Sequence, residues 1–139
     1  MSERIYAELT EDFIRRMRNW ARWVDESDDK IGPASVRAGG LEPVIDRYRE
    51  SREPLMWGEG EDTNRALKAL PARYEQVIRQ FWLYEGRAMR WHGRHRGIDY
   101  HTFEGWVIKG HELLKAELAK QTAYYRARAL VAQAASGGA

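Results

Sequence analysis

The residues of this sequence best suited to a chemical role are the arginines and histidines between Gly86 and Ile98. This stretch holds four arginines, two histidines and neither Asp nor Glu, although the net charge of the 139-residue chain is only +2. Clustered cations of this kind can contact the phosphates of a nucleic acid, or they can form a solvated surface. We favour phosphate contacts, because no acidic residue of the stretch neutralises the cluster. The arginines are Arg87, Arg90, Arg94 and Arg96.

A metal site and an enzyme active site are the alternatives for this stretch. His92 and His95, with Asp99 and His101 nearby, could supply metal ligands, but the chain has no cysteine to add a thiolate. We therefore expect His92 and His95 to contact phosphate or to lie on the surface. The sequence contains no glycine-rich phosphate loop, no nucleophile beside a base and no carboxylate pair in an apolar setting. No catalytic residue, metal site or cofactor is predicted.

The composition indicates a single small domain. A hydrophobic content of 43%, with six Trp and seven Tyr, is enough for a core. The apolar runs are too short to cross a membrane, and the charged first residues do not form a secretion signal. The lack of cysteine excludes disulfides. We expect a cytoplasmic protein that contacts no membrane.

Helical periodicity predicts the elements that position the basic residues. An amphipathic helix is expected from about 10 to 25, capped by Thr10, and the glycine- and proline-rich stretch 26–61 is expected to be irregular apart from a turn at 43–49. From 62 onward the sequence is helical, and Pro71 opens a helix of its own. We predict an all-α fold without a sheet, in three parts. These are an N-terminal helix with the irregular segment (1–61), a domain ending in a long C-terminal helix (62–135) and a flexible tail (136–139).

The residues from 87 onward predict a helix-turn-helix. A short helix over 87–95 ends at Gly97, which can adopt the left-handed conformation, and Asp99 caps a second helix. In this motif the start of the second helix enters a DNA major groove. Glu104 could accept a hydrogen bond from a cytosine amino group, and Gly105 permits close approach of the backbone. We predict DNA contacts from the four arginines and from Tyr100, His101, Thr102, Glu104, Gly105 and Lys109.

Two segments resemble sigma-factor region four. "ALPARYEQVIRQFWLYEGR" (69–87) is similar to the start of that region, and "GIDYHTFEGWVIKGHELL" (97–114) is similar to its recognition helix. Trp106 departs from that pattern, which has an arginine there. "RRMRNWARWVDES" (15–27) resembles the W-x-x-W start of the small zinc-free Q antiterminators of lambdoid phages. The resemblance to this family extends loosely over most of the chain.

The resemblance implies a function in transcription. Proteins of this family bind double-stranded DNA near a phage late promoter, load onto paused bacterial RNA polymerase, with or without its sigma factor, and suppress pausing and termination. Trp23, which lies off the apolar stripe of its helix, and Val77 and Phe81 of the Pro71 helix are then the candidates for polymerase contact. The alternatives are a sigma-like initiation factor or activator and, as a third choice, a small terminase-like DNA adaptor. The oligomeric state is left open.

Overall fold

The structure is a computed structural model that describes residues 3–27 and 54–137. These residues form six helices and no strand, which confirms the predicted all-α fold for this part of the chain. Most of the predicted irregular segment, including the turn at 43–49, lies outside the described residues. The helices are α1 (Glu3–Ala7), α2 (Glu11–Glu26), α3 (Trp57–Lys68), α4 (Ala72–Leu83), α5 (Met89–Arg96) and α6 (Tyr100–Gly137).

Helix α2 forms where the sequence predicts it. The Thr10 hydroxyl accepts a hydrogen bond from the backbone N–H of Phe13 at 3.1 Å, which satisfies one of the free donors at the helix start. Five apolar side chains of α2 recur at helical spacing and are buried, so they turn one face of the helix into the core. These side chains are Phe13, Met17, Trp20, Ala21 and Val24.

Helix α3 begins at Trp57, five residues before the predicted start and within the segment expected to be irregular. Contacts with α2 explain the difference. The Asn19 side chain accepts from the backbone N–H of Met56 at 2.8 Å and donates to its carbonyl at 2.9 Å. Gly60 lies directly against the Trp23 side chain, where a Cβ atom would clash. Gly60 thus lets α3 approach α2, whereas the sequence alone indicated a break in structure.

Helix α4 packs mainly against α6 and also contacts α2 and α3. Ile78, Phe81 and Trp82 are at most 2% exposed. Phe81 and Trp82 meet edge to face with ring centroids 5.1 Å apart, a favourable aromatic geometry. The predicted apolar stripe of this helix is therefore present, and it lies in the core.

Helix α6 is one continuous helix of 38 residues. Its first part packs on α4 and α5, and the hydroxyl of Tyr125 bonds to Arg65 and Asp62 of α3. Beyond Gln121 every described residue is exposed, including Leu130 at 66% and Val131 at 69%. The helix continues through Gly137, past the predicted end at 135. None of the helices in 3–27 and 54–137 is long and apolar enough to cross a membrane.

Candidate nucleic-acid interface

Helices α5 and α6 are joined by the three-residue turn that the sequence predicts. Gly97 has a φ angle of 71° and ends α5 in the left-handed conformation. The N–H of Ile98 then donates to the carbonyl of Gly93 at 2.9 Å, which closes the turn. The Asp99 carboxylate accepts from the N–H of His101 at 2.9 Å and caps α6. Local sequence thus determines how the chain leaves α5 and enters α6.

His92 corrects one prediction, because its side chain is fully buried and does not face phosphate or solvent. It lies on the side of α5 that faces α4 and α6, and its ring stacks on Phe103 with centroids 4.8 Å apart. The Gln80 amide donates to Nδ1 of His92 at 3.0 Å, which leaves the ring proton on Nε2. Burial lowers the pKa of His92 to about 4, so the ring is neutral near pH 7. The described residues include no cluster of three His, Asp or Glu side chains arranged to hold a metal ion.

Seven residues of α5 and the first part of α6 lie outside the core on the side where Arg90 meets Tyr100, and we call this surface the basic face. Tyr100 is half-buried and the others are exposed. The Arg90 guanidinium lies 5.2 Å above the Tyr100 ring, which links the two helices at this surface. The basic face comprises Arg90, Arg94, Tyr100, His101, Thr102, Gly105 and Lys109.

Arg87 and Arg96, the other two predicted arginines, are exposed but make contacts on other sides of α5. The Arg87 guanidinium lies 5.1 Å from the Trp91 ring, and Trp91 stacks on His95 with centroids 4.9 Å apart. Arg96 donates to the Gln76 side chain of α4 at 3.3 Å. All four arginines therefore reach solvent, and Arg90 is the one whose guanidinium stacks on the start of α6.

Glu104 corrects a second prediction, because it does not face outward with its neighbours. It is only 9% exposed and accepts a hydrogen bond from Arg4 at 2.9 Å. The reason is α1, which we did not predict and which packs against α6. Ile5 of α1 is fully buried, and Tyr6 and Leu9 pack against the core, so these apolar residues near the start of the chain were the sequence signal that α1 packs there.

Two of the three predicted polymerase-contacting residues, Val77 and Phe81, are corrected, whereas the prediction for Trp23 stays open. Val77 is 1% exposed and Phe81 is 2% exposed, because α4 lies between other helices and turns its apolar side to them. Trp23 is half-buried, packs with the core and meets Gly60 of α3. Val77 and Phe81 cannot contact a partner while the core is closed.

Comparisons with known proteins do not assign a family or a function to this chain. No family model, curated protein or solved structure matches the chain. The function is therefore inferred from the side chains of the basic face and from the sigma-like motifs of the sequence.

Proposed function

We propose that the protein binds double-stranded DNA and places the first turns of α6 in a major groove. The observation that carries this proposal is the contrast between the two sides of those turns. Phe103 and Val107 are fully buried on one side, and the exposed side carries donors and cations. A major groove admits an α-helix, and its base edges offer acceptors that such side chains can contact.

The side chains of the basic face divide into two groups by the part of the DNA that each would contact. Arg90 and Arg94 lie on α5, beside the inserted helix, where they would contact backbone phosphates and set the position of the protein. His101, Thr102 and Lys109 lie on α6, where they would contact base edges or the phosphates next to them. Lys109 is 3.5 Å from the Glu112 carboxylate, and both side chains are largely exposed, so DNA can compete for this lysine.

Gly105 supports this assignment, because the fold itself gives no reason for a glycine there. A glycine inside a helix is less favourable than alanine by about 1 kcal/mol. A Cβ atom at Gly105 would meet nothing within 4 Å. At Gly110, in contrast, a Cβ atom would lie 2.9 Å from Cγ1 of Ile78, so packing alone accounts for that glycine. Close approach of an external partner accounts for Gly105, which is on the basic face.

We propose further that DNA binding serves antitermination of phage late genes. The resemblance to the small zinc-free Q antiterminators supports this step, and it implies loading onto promoter-proximally paused RNA polymerase. The polymerase contact then lies outside the buried stripe of α4. A sigma-like initiation factor would use the same DNA contacts, and it differs in leaving termination unchanged. A terminase-like adaptor would form stable rings, which native mass spectrometry detects.

Selection of bound sequences from a random duplex pool tests the DNA-binding step. We expect one sequence to be enriched, and its affinity to exceed that of unrelated DNA at the same salt concentration. Methylation of guanine N7 in the enriched site should interfere with binding, because N7 faces the major groove. A pool that stays random after repeated selection would contradict sequence-directed binding.

A further inference from the structure

A pocket of about 420 Å³ opens where α1 and the starts of α5 and α6 meet. Its volume falls in the range of small-ligand sites, which is about 300–1,000 Å³. The pocket adjoins the basic face and shares three residues with it. The lining residues are Glu3, Arg4, Ala88, Met89, Arg90, Tyr100, His101 and Glu104.

The Glu104 carboxylate determines which ligands the pocket accepts. The side chain is 11% exposed, and its Oε1 accepts from Nη1 of Arg4 at 2.9 Å. In the described parts of the chain the Glu104 side chain accepts this one hydrogen bond. A carboxylate offers about four acceptor sites, so it can accept further hydrogen bonds from a ligand. An ionised carboxylate only accepts hydrogen bonds, so a ligand that binds here must present N–H or O–H donors.

The walls of the pocket favour a flat ring. The rings of Tyr100 and His101 lie with centroids 4.1 Å apart, and the Arg90 guanidinium is 5.2 Å from the Tyr100 ring. Ala88 and Met89 add apolar surface at the start of α5. Aromatic rings and guanidinium planes are the surfaces on which unpaired nucleobases stack.

We propose that this pocket binds an unpaired guanine extruded from the DNA that the basic face holds. Guanine presents N1–H and the N2 amino group side by side, and this pair of donors fits a carboxylate. Thymine presents one N–H between two carbonyl oxygens, which the carboxylate repels. The inference rests on the proposed DNA binding, because the bound duplex delivers the base to the start of α6. Extrusion from a duplex is easiest for a base that is already unpaired.

The test compares duplexes that carry the selected site and one bulged nucleotide, with the bulge moved along the site. Affinity is measured by fluorescence anisotropy for bulged guanine, inosine and thymine. At one position we expect guanine to bind about tenfold tighter than thymine. Inosine keeps N1–H but lacks the amino group, and it should fall between the two. Equal affinities at every position would overturn the inference, and binding of the fully paired duplex would leave the proposed function intact.

Two variants locate the preference in the pocket. Glu104→Gln should abolish the preference for guanine and keep affinity for the paired duplex. Ala88→Phe is a second variant, for use if Glu104→Gln is unstable. Ala88 is exposed, so the added ring should fill the mouth of the pocket and also abolish the preference for guanine. Glu117→Gln, farther along α6, is the matched control and should keep the preference. A preference that survives in both pocket variants would overturn the inference.

Competition by free guanosine monophosphate shows whether the pocket takes guanine from bound DNA or as a free nucleotide. We expect it to compete weakly with the bulged duplex, because it lacks the phosphate contacts of the basic face. Tight binding of the free nucleotide, together with no preference for a bulged guanine, would overturn the assignment to DNA. If the protein bound no duplex at all, this would instead contradict the proposed function. The inference would then fail as well, because no bound DNA would deliver the base.

Discussion

His92 of α5 and Phe103 of α6 stack face to face in the core, with ring centroids 4.8 Å apart and an angle of 9° between the ring planes. Both side chains are fully buried. Arg94, two residues after His92, and Thr102, next to Phe103, are exposed on the basic face. The stack therefore holds together the two helices whose outer sides form that face.

Truncation of this stack should destabilise the whole domain. Phe103→Ala removes a fully buried ring, and we expect the free energy of unfolding to fall by about 3–5 kcal/mol. Urea unfolding followed by circular dichroism measures the loss. Phe103→Leu is the control and should cost less, because it keeps most of the apolar volume. A loss below about 1 kcal/mol for the alanine variant would contradict the packing described here.

The buried histidines predict loss of stability in acid. Burial lowers the pKa of His92 to about 4 and that of His111 to about 3, whereas an unfolded histidine has a pKa of about 6.5. The folded state favours the neutral rings, so their contribution is complete above about pH 6.5 and is lost as the pH falls toward 4 and then 3. For His92 the loss is on the order of 3 kcal/mol.

Unfolding measured from neutral pH down to about pH 4 checks this prediction. His92→Gln should flatten the dependence on pH, because glutamine does not titrate. His101→Gln changes an exposed histidine of the basic face and is the matched control. A His92→Gln curve that keeps the full slope would show that the buried ring is not its source.

Gly105→Ala should separate stability from function. A Cβ atom there meets no neighbour, so the substitution should raise the free energy of unfolding by about 0.5–1 kcal/mol. The added methyl group should weaken DNA binding, because it stands between the helix and the groove. Gly110→Ala is the contrasting variant and should destabilise the protein through the contact with Ile78. Unchanged DNA affinity in Gly105→Ala would remove this glycine from the interface.

The arginines of α5 should determine affinity more than sequence preference. Arg90→Ala or Arg94→Ala should weaken binding to every duplex and lower the slope of log affinity against log salt by about one unit. His101→Ala should instead relax the preference among sites. Lys68→Ala removes an exposed cation of α3 and serves as the control. Equal losses from Lys68→Ala and Arg94→Ala would indicate that net charge alone drives binding.

The sequence predicts local features of this fold better than contacts between distant segments. The Thr10 cap, the Gly97 turn and the buried side of α6 depend on residues a few positions apart, and all three are present. The position of Glu104 depends on Arg4, which is 100 residues away. No periodicity within α6 could place that carboxylate in a pocket.

The same limit explains the errors on α4 and α3. An apolar stripe looks the same whether it faces a core or a partner, so the periodicity of Val77 and Phe81 could not show that the stripe is buried. Gly60 is a helix breaker by propensity, but it is favourable where α2 and α3 touch. His92 was misplaced because exposed arginines, Arg90 and Arg94, lie two positions away on either side of it. In each of these cases tertiary packing decided the outcome.

The terminated fraction of transcripts made in vitro decides whether the protein acts in antitermination. Host polymerase is started at a phage late promoter, where the proposed function places the protein, with the selected DNA site present and an intrinsic terminator far downstream. We predict that the wild-type protein lowers the fraction of transcripts that stop at the terminator, and that Arg94→Ala loses the effect. An increase in transcript number with an unchanged terminated fraction would contradict antitermination and would support a sigma-like initiation factor.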